Sequence, residues 1–123
     1  MNKKITEKEK RIEEKMKKYE NSVFDYLQLQ EIKYGLLDGV DVSVYTDARF
    51  SAAQMKQIRL GLLQGLDVWY YDNPVFNYLQ MQEIRYGLRA GIDVSQYLDP
   101  ALRWELMKAW RLYLIVEKEA LDE

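Results

Sequence analysis

The 123-residue chain contains no cysteine and no histidine. Lack of cysteine excludes disulfides and thiol chemistry and fits a cytoplasmic protein. Lack of histidine removes the commonest general base, the usual catalytic triads and most zinc and iron sites. Only Asp, Glu, Lys, Tyr and a few hydroxyl groups remain for chemistry, and no glycine-rich phosphate loop or nucleophile motif accompanies them. No catalytic, metal-ligating or cofactor-binding residue is therefore assigned, no cofactor is expected, and the chain is not expected to be an enzyme. Long apolar runs are missing too. The longest, Leu112 to Val116, is far too short to span a bilayer, so no membrane is expected among the partners. The N-terminus is charged from Lys3 onward without an apolar segment, and no secretory signal is expected.

What is present describes one soluble globular domain, with 48% apolar and 31% charged residues. The net charge of −2 is unevenly spread. Residues 1–20 carry eight Lys/Arg against five Glu, whereas residues 21–123 carry ten against fifteen Asp/Glu. Neither part has the charge density of a nucleic-acid footprint or of an acidic DNA mimic.

The dominant feature is a repeat. Phe24 to Ala48, Phe50 to Pro74 and Phe76 to Pro100 align at a 26-residue period without insertion. Asp25, Ser51 and Asn77 are good helix N-caps, and Gln28, Gln54 and Gln80 three residues on complete capping boxes. Phe24, Phe50 and Phe76 precede the caps, with Leu29, Met55 and Met81 placed to form hydrophobic staples. Gly39, Gly65 and Gly91 stand where a left-handed residue ends a helix. The pattern predicts helices near 26–38, 52–64 and 78–90. In the first, Leu29, Ile32 and Leu36 share one side and Leu27 and Tyr34 lie opposite, which predicts a helix sandwiched between neighbours. Gly35, Gly61 and Gly87 inside these helices cost about 1 kcal/mol each against Ala, and close approach of a neighbouring helix is the expected compensation.

After each C-cap, Asp41, Asp67 and Asp93 are placed to cap a short helical turn; a short strand is the rival, and poor alternation around Val44–Tyr45 and Tyr70–Tyr71 favours the turn. Residues 2–20 read as a charged helix with Ile5, Ile12, Met16 and Tyr19 along one stripe and Glu7–Arg11, Glu13–Lys17 and Glu14–Lys18 pairs outside. With Asp99 as cap and Pro100 in the first turn, the last segment reads as one helix to about Ala120. Its apolar residues, including Trp104, Met107, Trp110, Tyr113 and Val116, run nearly all the way round, which points to a partner or homodimer surface unless the first helix folds over it.

Written as Q-[LM]-x-x-I-[KR]-x-G-L-x-x-G-x-D-V-x-x-Y, the unit resembles short helical repeats in proteins of phages and integrative elements, especially of Firmicutes. The likeness covers 24–100 well, 101–116 weakly and 1–20 not at all, and Trp69 stands where the units usually have a small residue. The resemblance implies a mobile-element origin, where small proteins without cysteine often inhibit host defence, anti-CRISPR proteins among them. That is an association rather than a mechanism.

Two constellations stand out. Lys33, Arg59, Arg85 and Arg111 form a basic ladder at the repeat period. It serves either to bind phosphates or to pair with Asp41, Asp67 and Asp93 in stacking. The second is internal disagreement: unit two has Ala52 and Leu60 where its neighbours have tyrosines, and Trp69-Tyr70 where they have Ser43-Val44 and Ser95-Gln96. Trp69 either fills space left by Ala52 and Ala53 or is an aromatic hot spot.

The expected fold is all-α: a charged cap helix in 1–22, three 26-residue helical repeats in 23–100 and a closing helix in 101–123, stacked as a small solenoid or compact bundle. The expected function is non-catalytic protein binding, as an inhibitor or adaptor that sterically blocks a protein such as a host defence nuclease. Trp69, Tyr70, Trp104 and Arg111 are the candidate contact residues. Nucleic-acid binding through Lys33, Arg59, Arg85, Arg111 and the basic first helix is the alternative.

Overall fold

A computed structural model describes residues 4–20 and 22–122. Its elements are five α-helices, α1 (Glu7–Glu20), α2 (Tyr26–Asp38), α3 (Ala52–Leu63), α4 (Tyr78–Ala90) and α5 (Trp104–Leu121), with 3₁₀ turns at Val42–Val44, Val68–Tyr70 and Val94–Tyr97. The described residues are all-α. Helices pack in chain order, α1 on α2, α2 on α3, α3 on α4 and α4 on α5, as stacked repeats require.

Each unit is closed by local hydrogen bonds. Asp25 Oδ1 accepts from the Gln28 amide while Gln28 Oε1 accepts from the Asp25 amide, both at 2.8 Å. Ser51 with Gln54 and Asn77 with Gln80 repeat the exchange. The free end of the same glutamine does a second job. Gln28 Nε2 donates to Phe50 O at 2.7 Å, Gln54 Nε2 to Phe76 O at 2.6 Å and Gln80 Nε2 to Leu102 O at 2.8 Å. One side chain thus starts its own helix and clasps the loop that leads into the next. Gly39, Gly65 and Gly91 end the helices at φ values of 78°, 70° and 72°, a left-handed backbone that strains any residue with a Cβ.

The glycines inside the helices also receive close neighbours, from within their own unit rather than from an adjacent helix. Tyr45, Tyr71 and Tyr97, at the ends of the 3₁₀ turns, are fully buried. Their hydroxyls donate to the carbonyls of Glu31, Gln57 and Glu83 at 2.7, 2.6 and 3.0 Å. A Cβ on Gly61 would lie 2.1 Å from the Tyr71 hydroxyl and 2.5 Å from Val68 Cγ1, and Gly35 and Gly87 are crowded in the same way. Glycine is required so that the tyrosine can reach the helix backbone. Burial raises the pKa of all three phenols, which keeps them protonated as donors.

Four expectations change. The first helix begins at Glu7, so Ile5 lies ahead of it and is exposed, while Ile12 and Met16 are buried against α2; residues 1–3 lie outside the described part. Its ion pairs are Glu7–Lys10 and Glu14–Lys17, one turn apart at i,i+3 instead of i,i+4. α2 does lie between α1 and α3, but Leu27 and Tyr34 are 59% and 43% exposed and do not form its second packed face. The closing helix starts at Trp104 after Arg103, in register with the repeats. Asp99 instead accepts from the Ala101 amide at 2.9 Å and closes a turn, as Asp47 and Asn73 do in units one and two. The last helix is therefore the helix of a fourth, altered unit.

Candidate interaction surfaces

The three arginines of the basic ladder hold the units together, and their partners are not the repeated aspartates. Arg59 Nε donates to Glu31 Oε2 and Arg59 Nη1 to Asp38 Oδ2, both at 2.8 Å, reaching back to the preceding helix. Arg85 reaches Gln57 at 3.0 Å and Gln64 at 3.1 Å, and Arg111 reaches Glu83 at 2.7 Å. Arg59 and Glu31 are each only 12% exposed in their side chains. Burial opposes the charge on Arg59, but the bonds to Glu31 and Asp38 prevail and raise its pKa. Tyr34 and Tyr86 complete the rungs, with the Arg59 guanidinium 5.4 Å from the Tyr34 ring and those of Arg85 and Arg111 4.9 and 5.3 Å from the Tyr86 ring. Lys33, the first member, is exposed beside Glu9, Glu13 and Glu20 of α1. Arg111, expected at a partner contact, is thus engaged by α4.

Asp41 and Asp93 cap their 3₁₀ turns. Asp41 Oδ1 accepts from the Ser43 amide at 3.1 Å and hydroxyl at 2.6 Å, and Asp93 does the same with Ser95. The Ser43 hydroxyl, followed by its amide, holds the Asp41 pKa below the usual carboxylate value. In unit two Trp69 replaces that serine, and Asp67 makes no side-chain cap bond.

Trp69 does not fill the space beside Ala52 and Ala53. It is 64% exposed and stacks on Tyr70, with ring centroids 3.9 Å apart and planes at 21°. Tyr70 is half-buried against the core, so the pair is an indole held flat on an anchored ring. Unit two has exchanged a capping hydroxyl for an exposed aromatic plate. Helix stability gains nothing from that exchange, since losing a cap contact is unfavourable.

On α5 the structure separates residues that the sequence grouped together. Met107 and Leu114 are buried against α4, and Trp104 is half-buried at the first turn. Leu106, Ala109, Trp110 and Tyr113 instead line a shallow open hollow on the far side. Three of these, Leu106, Ala109 and Trp110, sit 26 residues after Gln80, Glu83 and Ile84, three residues that α4 turns toward α5. Counting back one period is the signal that would have found them.

No helix among the described residues is long and apolar enough to cross a membrane, and no cluster of three or more His, Cys, Asp or Glu there could hold a metal ion. The fold and its surfaces define an all-α chain of capped helical repeats with aromatic plates outside. Comparison with protein-family models, with curated proteins and with solved structures finds no match in any of the three.

Proposed function

We propose that the chain is a non-catalytic protein-binding module whose contact surface is centred on Trp69 and Tyr70. The observation that carries this reading is the replacement of a capping serine by an exposed, stacked tryptophan in one unit of three. Large planar side chains supply much contact area for little conformational entropy, which is why they dominate binding hot spots. The motif's resemblance to repeats of mobile elements makes a host protein the favoured target, blocked sterically by the pre-formed surface as an inhibitor or adaptor would block it. Nucleic acid is the weaker reading, because Arg59, Arg85 and Arg111 already use guanidinium N–H groups in bonds to the preceding unit.

The test is affinity capture from a host lysate with and without nuclease, using the full chain and its Trp69→Ala variant. The expected result is a protein retained after nuclease treatment, with affinity reduced about 30-fold in the variant while stability changes by less than about 0.5 kcal/mol. Recovery of nucleic acid alone, or equal retention by both chains, would overturn the proposal.

A further inference from the structure

Unit two differs from its neighbours at more than Trp69, and the differences gather in one turn. Trp69, Tyr70 and Asp72 stand where unit one has Ser43, Val44 and Thr46 and unit three has Ser95, Gln96 and Leu98. The first change also releases a carboxylate. Asp41 and Asp93 are held by the amide and hydroxyl of their serines, whereas Asp67 accepts no cap bond although the Trp69 amide stands at the same offset. Asp67 is exposed, and neither it nor Asp72 joins an ion pair among the described residues. Partial burial without a cationic partner lifts the Asp72 carboxyl above its usual pKa. One turn thus offers an open indole face, backed by Tyr70, with a carboxylate two residues before it and another three residues after it.

The chain itself shows what such a set of groups receives. Between units one and two, the Arg59 guanidinium lies 5.4 Å from the Tyr34 ring and donates to Glu31 and Asp38, both at 2.8 Å. An aromatic face and two carboxylates there hold one arginine. Around Trp69 the same kinds of group recur in the open, and among the described residues no Lys or Arg lies over Trp69 or Tyr70. Charge separates the possible occupants. A phosphate or an acidic peptide would be repelled by two unpaired carboxylates. A purely apolar side chain would cover the indole but desolvate Asp67 without pairing it. A guanidinium satisfies both groups, since its plane stacks on the ring and its N–H fork bonds a carboxylate. An ammonium brings the charge without the plane.

We infer that the protein partner of this surface contributes an arginine, whose guanidinium stacks on the open face of Trp69 and donates to Asp67. The inference rests on the reading of Trp69 and Tyr70 as a protein-contact surface and names the chemistry of what meets it. Trp69 supplies the plane, Asp67 the paired charge, and Asp72 further negative potential in the same turn.

The test is a nuclear magnetic resonance titration of the isotope-labelled full chain with a short blocked peptide carrying one arginine. The readout is the backbone amide signals of Val68 and Tyr70. The control is the same peptide with citrulline, the uncharged isostere of arginine. The arginine peptide should give saturable shifts with a Kd of about 10 mM, and citrulline or Asp67→Asn should each weaken binding about 5-fold or more. Asp67→Asn should leave the melting temperature unchanged, because Asp67 makes no cap bond. Trp69→Ser, which restores the residue of the neighbouring units, should abolish the response in a folded chain. Asp41→Asn and Asp93→Asn, at carboxylates already held by serines, should leave it unaltered. Equal shifts with arginine and citrulline, no shift with either, or a stronger response to oligothymidylate would each overturn the inference. In lysate capture, Asp67→Lys should lose the protein that Trp69→Ala loses. A target lost by Trp69→Ala but kept by Asp67→Lys overturns this inference alone, whereas arginine-specific shifts without any captured protein overturn the protein-target reading.

Discussion

The face that α4 turns toward α5 and the face that α5 turns away from it occupy the same register of the repeat, yet they are chemically opposite. The first presents Gln80, Glu83 and Ile84, all buried, with Gln80 bonded to the loop before α5 and Glu83 to Arg111 of α5. The second presents Leu106, Ala109 and Trp110, open to solvent. A residue's position in the unit therefore does not determine its role; whether another unit follows does. Inner positions combine hydrogen bonding with burial, because a loop carbonyl desolvated by stacking must be satisfied. Among the described residues no loop lies over the matching α5 positions, and the side chains there are apolar.

The most severe way to break an inner unit is through its buried tyrosine. Tyr71→Ala should destabilise the chain by about 3–5 kcal/mol, read as the loss in urea midpoint, because it empties a fully buried ring site and leaves Val68 and Gly61 facing a cavity. An equivalent cut on α5 should be nearly silent in stability. The contrast is sharpest for one exchange made in both directions. Gln54→Leu strands the Ser51 amide and the Pro74 and Phe76 carbonyls and should cost about 2–3 kcal/mol. Leu106→Gln at the matching terminal site should change stability by less than about 0.5 kcal/mol.

Gly61→Ala sharpens the comparison at smaller scale. Alanine favours the helix by about 1 kcal/mol over glycine, but its Cβ would press on the Tyr71 hydroxyl, and net destabilisation of about 1–2 kcal/mol is expected in thermal or denaturant melts. A gain in stability would show that the tyrosine swings away freely.

The smallest expected effect is on pH. Tyr45, Tyr71 and Tyr97 titrate above their ordinary value of 10.0 when folded, because burial disfavours the phenolate. Their contribution is fully present below the unfolded pKa of about 10 and is lost as pH rises through the folded values, since the unfolded chain releases its protons first. Melting temperature should thus fall as the solution is made alkaline beyond that point. Tyr71→Phe should reduce the slope while costing about 1 kcal/mol at neutral pH through the lost bond to Gln57 O.

What sequence alone determined was everything that acts over a few residues. The capping boxes at Asp25, Ser51 and Asn77, the left-handed glycines and the short capped turns are set by bonds spanning two to five positions, so residue types at fixed offsets suffice to place them. The repeat then extended each local result three times. Tertiary structure alone decided which residue meets which across units. Arg59 pairs with Glu31, 28 positions away, while the equally periodic Asp41 and Asp93 bond to their own turns and Asp67 makes no such bond. It also decided that Trp69 projects and Arg111 does not. Periodicity shows that positions are equivalent, but exposure depends on what stacks over them, and only the assembled helices fix that.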